Sequence, residues 1–284
     1  MAVSNGVVLI HGAWHDHHTW DAIVPLLSEA GCRARAIDLP GAGANALLPT
    51  SFTAQPFDPA AFGTEPSPNA GVTQDERTEA VIATVRELNA ETGGKAVVVG
   101  HSLGGLTVSP VAEAIPDEVS AAVYLTAFML PPGMASGEII EHDTMADAMV
   151  LPLVMADPEA VGALRLHVAS TDADYLARAR EAFYGDLTDD QFAKAVSHLH
   201  PDEPAQVLGV PSNVSKDRFG SVSRHYIECT KDNAIPIAGQ REMIRLMDDA
   251  MGSKTAVHTF ETSHSPFHSA AQELAQVLLD IAKA

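Results

Sequence analysis

Lys95-Ala96-Val97-Val98-Val99-Gly100-His101-Ser102-Leu103-Gly104 is the stretch on which the reading of this chain turns. Residues 96–99 form a short apolar, β-branched run of the kind a strand buried on both faces requires. A helical pattern takes over from 103 to 115. Between the two, Gly100, Ser102 and Gly104 have the spacing G-x-S-x-G. Alone, that spacing is a weak signal, because its fixed residues are common ones. Set between a strand and a helix it gains physical meaning. A sharp turn there holds the serine in a strained conformation with Oγ exposed, and the flanking glycines permit close backbone approach. The start of the helix adds N–H groups and the positive end of its dipole beneath the serine. The alternative, an ordinary serine in a glycine-rich turn, leaves the flanking strand and helix unexplained.

Outward from this turn, apolar or β-branched runs at 7–10, 33–38, 121–128, 224–229 and 256–260 read as further strands. Helical patterns lie between them, at 20–30, 73–89, 240–251 and 269–282. In the last, Ala271, Leu274, Val277, Leu278 and Ile281 recur at the spacing of a helix packed against a sheet. Strand alternating with helix implies an α/β fold with a mainly parallel central sheet flanked by helices. Two regions break the rhythm. Residues 44–71 hold five prolines and little periodicity, and read as a long surface loop. Residues 130–217 show helical patterns without a convincing strand. The expected organisation is a core of 1–129 and 218–284 with a helical cap, 130–217, inserted between two strands.

A serine hydroxyl is a poor nucleophile at neutral pH and needs a base within hydrogen-bond reach. Thr262-Ser263-His264-Ser265-Pro266 follows the strand at 256–260 and precedes the final helix. A loop leaving the C-terminal end of a strand is where such a base belongs, so His264 is favoured. His258 lies within the strand and His268 opens the helix. The acid should leave an earlier strand in the same way, and Thr230-Lys231-Asp232-Asn233 does so. Asp232 would accept from the imidazole N–H, fix its tautomer and stabilise the imidazolium. Glu228 sits inside the strand and would point to a face of the sheet. A helix N-cap explains Asp232 equally well when it is taken alone, and only its coupling to Ser102 and His264 in the order serine, acid, histidine favours catalysis. The backbone N–H groups of Leu103, after the serine, and Ala13, in the loop after the first strand, are the expected oxyanion hole.

Composition narrows the partners. The 284 residues carry 17 Lys plus Arg against 37 Asp plus Glu, a formal charge of −20. Such a field repels phosphate backbones and anionic lipid surfaces, so neither nucleic acid nor membrane is an expected partner. No apolar run approaches the ~20 residues needed to cross a bilayer. The N-terminal stretch lacks the basic and long apolar regions of a secretory leader. The two cysteines, Cys32 and Cys229, lie in or near apolar segments and read as reduced, buried thiols of a cytoplasmic protein.

Several segments together resemble the branch of the α/β-hydrolase superfamily that holds plant methylesterases, hydroxynitrile lyases and related bacterial carboxylesterases. They are His11-Gly12-Ala13-Trp14-His15, Asp38-Leu39-Pro40-Gly41, Gly100-His101-Ser102-Leu103-Gly104-Gly105, Ala127-Phe128-Met129, and the run from Arg218-Phe219-Gly220-Ser221-Val222 to Cys229-Thr230-Lys231-Asp232. The resemblance spans nearly the whole chain. It implies an α/β-hydrolase fold and the same triad. It also implies a choice of chemistry. The lyases of this branch use a threonine just after the first strand's histidine and a lysine beside the catalytic histidine, where this chain has Gly12 and Ser265. Ester hydrolysis is therefore favoured over carbon–carbon cleavage, and the intact triad argues against a non-catalytic receptor. The 44–71 segment departs from the compact plant members, so their substrates do not carry over.

His15-Asp16-His17-His18 invites a metal reading, but the spacing is tight for one ion and no second cluster accompanies it. These residues read as rim of the active-site mouth, His198 and His200 as surface or rim, and neither metal nor cofactor is expected. Met129, Met134, Met145, Met149, Leu151, Leu153 and Met155 are mostly helix packing, yet a cap facing Ser102 must also form the substrate pocket. The expected partner is a small, hydrophobic ester. A homodimer is compatible with the sequence.

Overall fold

Six strands, each ending close to where its apolar run stops, build the central sheet: β1 (Val7–Ile10), β2 (Ala34–Ile37), β3 (Ala96–His101), β4 (Val119–Leu125), β7 (Ser223–Cys229) and β8 (Ala256–Phe260). The computed structural model describes residues 5–284. Residues 1–4, the start of the stretch read as free of a secretory leader, lie outside the described residues. The sheet order is β2-β1-β3-β4-β7-β8 and every neighbouring pair is parallel. β4 ends at Leu125, short of the expected 128, because Thr126 turns the chain away with φ 36°.

Alternation along each strand assigns its two faces. Val8, Ile10, Val98, Ala122 and Tyr226 pack on one side, under α2 (Gln74–Thr92), α3 (Gly105–Ala114) and α6 (Ile237–Met251). Val7, Leu9, Val99, Leu125 and Ile227 pack on the other, under α1 (Ile23–Glu29) and α7 (Ala271–Lys283). α2 starts where Thr73 and Glu76 cap each other reciprocally and stops at Gly93 with φ 71°. On α7, Leu274, Leu278 and Ile281 are buried against the sheet, as their spacing requires. Cys32 and Cys229 are free and buried.

Two expectations need correction. Residues 44–71 are not a plain loop: short helices form at Thr50–Thr53 and Pro59–Thr64. The guanidinium of Arg165 holds this segment by donating to the carbonyls of Phe62 and Glu65. Residues 130–217 are not wholly helical. Besides α4 (Ala173–Phe183) and α5 (Asp189–Val196), they carry β5 (Ala163–Arg165) and β6 (Asp202–Pro204), paired antiparallel. Three-residue strands leave no periodic signal, and β6 opens with two acids. Their carboxylates are compensated by buried partners: Asp202 takes both Nε and an NH2 group of Arg165 at 2.6 and 2.7 Å, and Glu203 pairs with Arg77 at 2.5 Å.

Candidate active site

Ser102 stands at the end of β3 with φ 52°, a left-handed backbone conformation for a residue with a side chain. The turn tolerates no bulk beside it. A Cβ on Gly104 would sit 2.5 Å from the His11 carbonyl oxygen, and one on Gly100 2.8 Å from the Gly104 carbonyl oxygen. The glycines of G-x-S-x-G are thus required by the close passage of β1 and of the helix itself.

His264 and Asp232 meet as the sequence order suggests. His264 Nδ1 lies 2.6 Å from Asp232 Oδ2, with both side chains almost wholly buried. Asp232 Oδ1 accepts the N–H groups of Ala234 at 2.7 Å and Ile235 at 2.9 Å, while Oδ2 also accepts from the Thr126 hydroxyl. The Ala234, Ile235 and Thr126 contacts all donate to this carboxyl. The His264 Nδ1–H donates to it, which leaves Nε2 without a hydrogen and able to accept one. Ser102 Oγ makes no hydrogen bond to His264 in this conformation; such contacts are often long before substrate binds. Glu228, the other acid near this strand end, is bound to Arg241 at 2.8 Å and to the Thr259 hydroxyl at 2.9 Å, away from the histidine. Arg241 holds its carboxyl below the ordinary range.

Ala13 and Leu103 flank Ser102 on the wall of a cavity of about 380 Å³. The Ala13 N–H has no acceptor among the described residues. The remaining wall is apolar, with Trp14, Phe128, Ile140, Met145, Leu164 and Phe183, and it contains no charged side chain. Many of these residues come from 130–217. Another cavity, of about 360 Å³, is bordered by Gln74, Glu113 and Arg218 and does not reach Ser102.

A profile of the Alpha/beta hydrolase family matches residues 7–277. The chain belongs to that family. A pyrethroid hydrolase from Sphingobium wenxiniae is 28% identical over 284 residues, covering 98% of this chain and 88% of that protein. Methylesterase 7 from Arabidopsis thaliana is 27% identical, covering 97% and 95% respectively. The crystal structure of a pyrethroid hydrolase from Sphingobium faniae JZ-2 is similar with a TM-score of 0.76 at 28% identity, covering 99% of this chain and 98% of that one.

Two histidines that the sequence left without a role, His11 and His101, and His15, read there as rim, surround the site of this alpha/beta hydrolase. His11 donates from Nδ1 to the Gly12 carbonyl at 2.8 Å and accepts the Leu39 N–H on Nε2 at 3.2 Å. Burial lowers its pKa and keeps it neutral. His101 Nε2 donates to the His264 carbonyl at 2.9 Å, and its Nδ1 is buried without a partner. His15 donates from Nδ1 to the Ala13 carbonyl at 2.7 Å, and burial pushes its pKa down to about 3. Thr126 was equally unmarked in the sequence, apart from its place directly after a strand.

His17 and His18 are not rim residues of the Ser102 cavity. One ligand atom each from Asp16, His17 and His18 falls within 4.8 Å of the others, closer than the chain spacing suggests. The imidazoles are already engaged: His17 Nδ1 with Asp38 at 2.9 Å and His18 Nδ1 with Asp21 at 3.1 Å. His18 and His198 instead border a small separate cleft beside α5.

Proposed function

We propose that this alpha/beta hydrolase cleaves carboxylic esters of neutral, hydrophobic small molecules through an acyl-enzyme, with residues 130–217 as the cap over the site. The observation that carries the reading is the buried His264–Asp232 hydrogen bond beside a positive-φ serine that opens on an uncharged cavity. Relatives named as a pyrethroid hydrolase and a methylesterase support ester cleavage.

In this mechanism Ser102 Oγ attacks the ester carbonyl carbon while His264 Nε2 takes its proton. The oxygen becomes an oxyanion and is received by the N–H groups of Ala13 and Leu103. His264 returns the proton to the departing alcohol oxygen. A water, deprotonated by the same nitrogen, then attacks the acyl carbon; the bond to Ser102 Oγ breaks, His264 returns the proton to that oxygen, and the acid is released. Asp232 keeps Nδ1 protonated throughout. No cofactor enters these steps.

Gly12 and Ser265 favour hydrolysis over lyase chemistry. A Cβ at Gly12 would lie 2.8 Å from Ser102 Cβ and 2.9 Å from His101 Nδ1, which leaves no place for a threonine. Ser265 is fully buried and supplies no positive charge beside His264. The buried, free cysteines fit a cytoplasmic location, and no described helix is long and apolar enough to cross a membrane.

The test is turnover of p-nitrophenyl and methyl esters by the protein and by Ser102→Ala. The expected loss in kcat is about 10⁴-fold or more. Undiminished turnover by the variant overturns the proposal.

A further inference from the structure

Within six residues, 181–186 at the end of α4, the cap reaches the loops that carry Ala13, Asp232 and His264. Glu181 accepts from Asn233 Nδ2 on both its backbone oxygen, at 3.2 Å, and Oε1, at 2.9 Å, directly beside Asp232. The Phe183 ring lies 6.0 Å from the His264 ring and 5.8 Å from Trp14. Tyr184, fully buried, places its hydroxyl 2.7 Å from His15 Nε2. Asp186 accepts the Ser263 N–H at 2.9 Å, the Ser263 hydroxyl, and the Ser269 hydroxyl at 2.8 Å.

Proton bookkeeping fixes the direction of the first chain. His15 Nδ1 faces the Ala13 carbonyl at 2.7 Å and must carry the hydrogen. Nε2 is then an acceptor, so Tyr184 donates to it. Burial keeps the ring neutral, and the Ala13 carbonyl fixes this tautomer. The other side of the same peptide is also held, since the Trp14 N–H donates to Glu203 Oε2 at 3.3 Å. Trp14 has φ 61°, so the turn that carries the Ala13 N–H depends on these contacts rather than on its own preference.

The second chain acts on the base. Ser263 precedes His264, and both of its polar groups end on Asp186. The loops bearing Ala13 and His264 leave β1 and β8, four strand intervals apart in the sheet, about 19 Å at ~4.8 Å per interval. Sheet hydrogen bonds set the strands, but not the separation of loops rooted so far apart. Tyr184 and Asp186 join them across a single glycine.

We propose that Tyr184 and Asp186 are positioning residues that hold the oxyanion turn and the His264 loop in register through the cap, a role that rests on the serine esterase reading. Neither residue lines the cavity at Ser102. Their loss therefore disturbs transition-state geometry more than ground-state binding.

The experiment compares kcat and KM on a p-nitrophenyl ester for the wild type, Ser102→Ala, Tyr184→Phe, Asp186→Ala and Asp186→Asn, with a thermal melt of each. An aryl trifluoromethyl ketone, which adds to the nucleophile as a tetrahedral oxyanion, reports on the hole directly. Tyr184→Phe and Asp186→Ala should each lower kcat about tenfold to a hundredfold with KM within about twofold. The ketone's inhibition constant should rise by the same factor for Tyr184→Phe, and Asp186→Asn should recover part of the Asp186→Ala loss. Wild-type kcat in both variants, with Ser102→Ala inactive, overturns the positioning role and leaves ester hydrolysis standing. Loss that merely follows the unfolded fraction in the melt, with the ketone's constant unchanged, overturns it too. An active Ser102→Ala removes both readings.

Discussion

At φ 52° Ser102 occupies a region that a residue with a side chain enters only under constraint from its surroundings. The constraint is local and was legible, because Gly100 and Gly104 can be there only if something passes close by. The identity of the acid was less so. Glu228 and Asp232 are four residues apart, and chain order alone ranks them. In the structure their partners differ, Arg241 for Glu228 and His264 for Asp232, which favours Asp232 in the proposed triad. Thr126, which completes the Asp232 acceptor set, carried no signal, because a threonine after a strand is ordinary. The acceptor set yields a prediction for Asp232→Asn. Two backbone N–H groups converge on Oδ1 and demand an oxygen there. The amide NH2 must then replace Oδ2 and face His264. It would donate to Nδ1, move the ring hydrogen to Nε2 and remove the base. Activity on a p-nitrophenyl ester should fall about 10⁴-fold with the circular dichroism spectrum unchanged. A loss under tenfold would show that Asp232 does not set the tautomer.

Elements with a period of their own were readable, and those held by single contacts were not. β1 and β8 fall where their apolar or β-branched runs lie, and α2 begins at the Thr73–Glu76 pair. β5 and β6 are too short to show a period, and the short helices of 44–71 sit among prolines that speak against regular structure. What holds these pieces is Arg165. Fully buried, it forks onto Asp202 of β6 and donates to two carbonyls of the Pro59–Thr64 region. A sequence shows an arginine but not that its three acceptors converge. Arg165→Ala leaves Asp202 as an unpaired buried charge and frees the 44–71 segment, which should cost about 3–5 kcal/mol. Urea unfolding at pH 7.5 measures the cost, and limited proteolysis should newly cut within 44–71. A midpoint within error of wild type would mean that the pair does not hold these elements.

Across the whole molecule, the balance of 37 acids to 17 bases tells of solubility and partners, whereas acid stability depends on which of the 13 histidines are buried. That distinction needs the fold. Burial pushes His15 down to about 3 and His268 down to about 4, both from an ordinary 6.5. A histidine with a depressed folded pKa binds fewer protons folded than unfolded, so stability rises with pH. The contribution is complete above 6.5, declines as pH falls below it, and is exhausted once the folded pKa is passed. At pH 5 each ring has forfeited about 2 kcal/mol, about 4 kcal/mol together, at ~1.4 kcal/mol per pH unit below 6.5. The net negative charge also shrinks as pH falls, which acts in the opposite direction, so the wild-type difference alone mixes two signs. His15→Gln separates them. It lowers stability at pH 7.5 by breaking the link from Tyr184 to Ala13, but it has nothing to titrate. Urea unfolding of both proteins at pH 7.5 and 5.0 should show the variant losing about 2 kcal/mol less over that interval than the wild type. Equal losses would mean that His15 is not held neutral, and that the tautomer joining Tyr184 to the oxyanion turn is not the one populated.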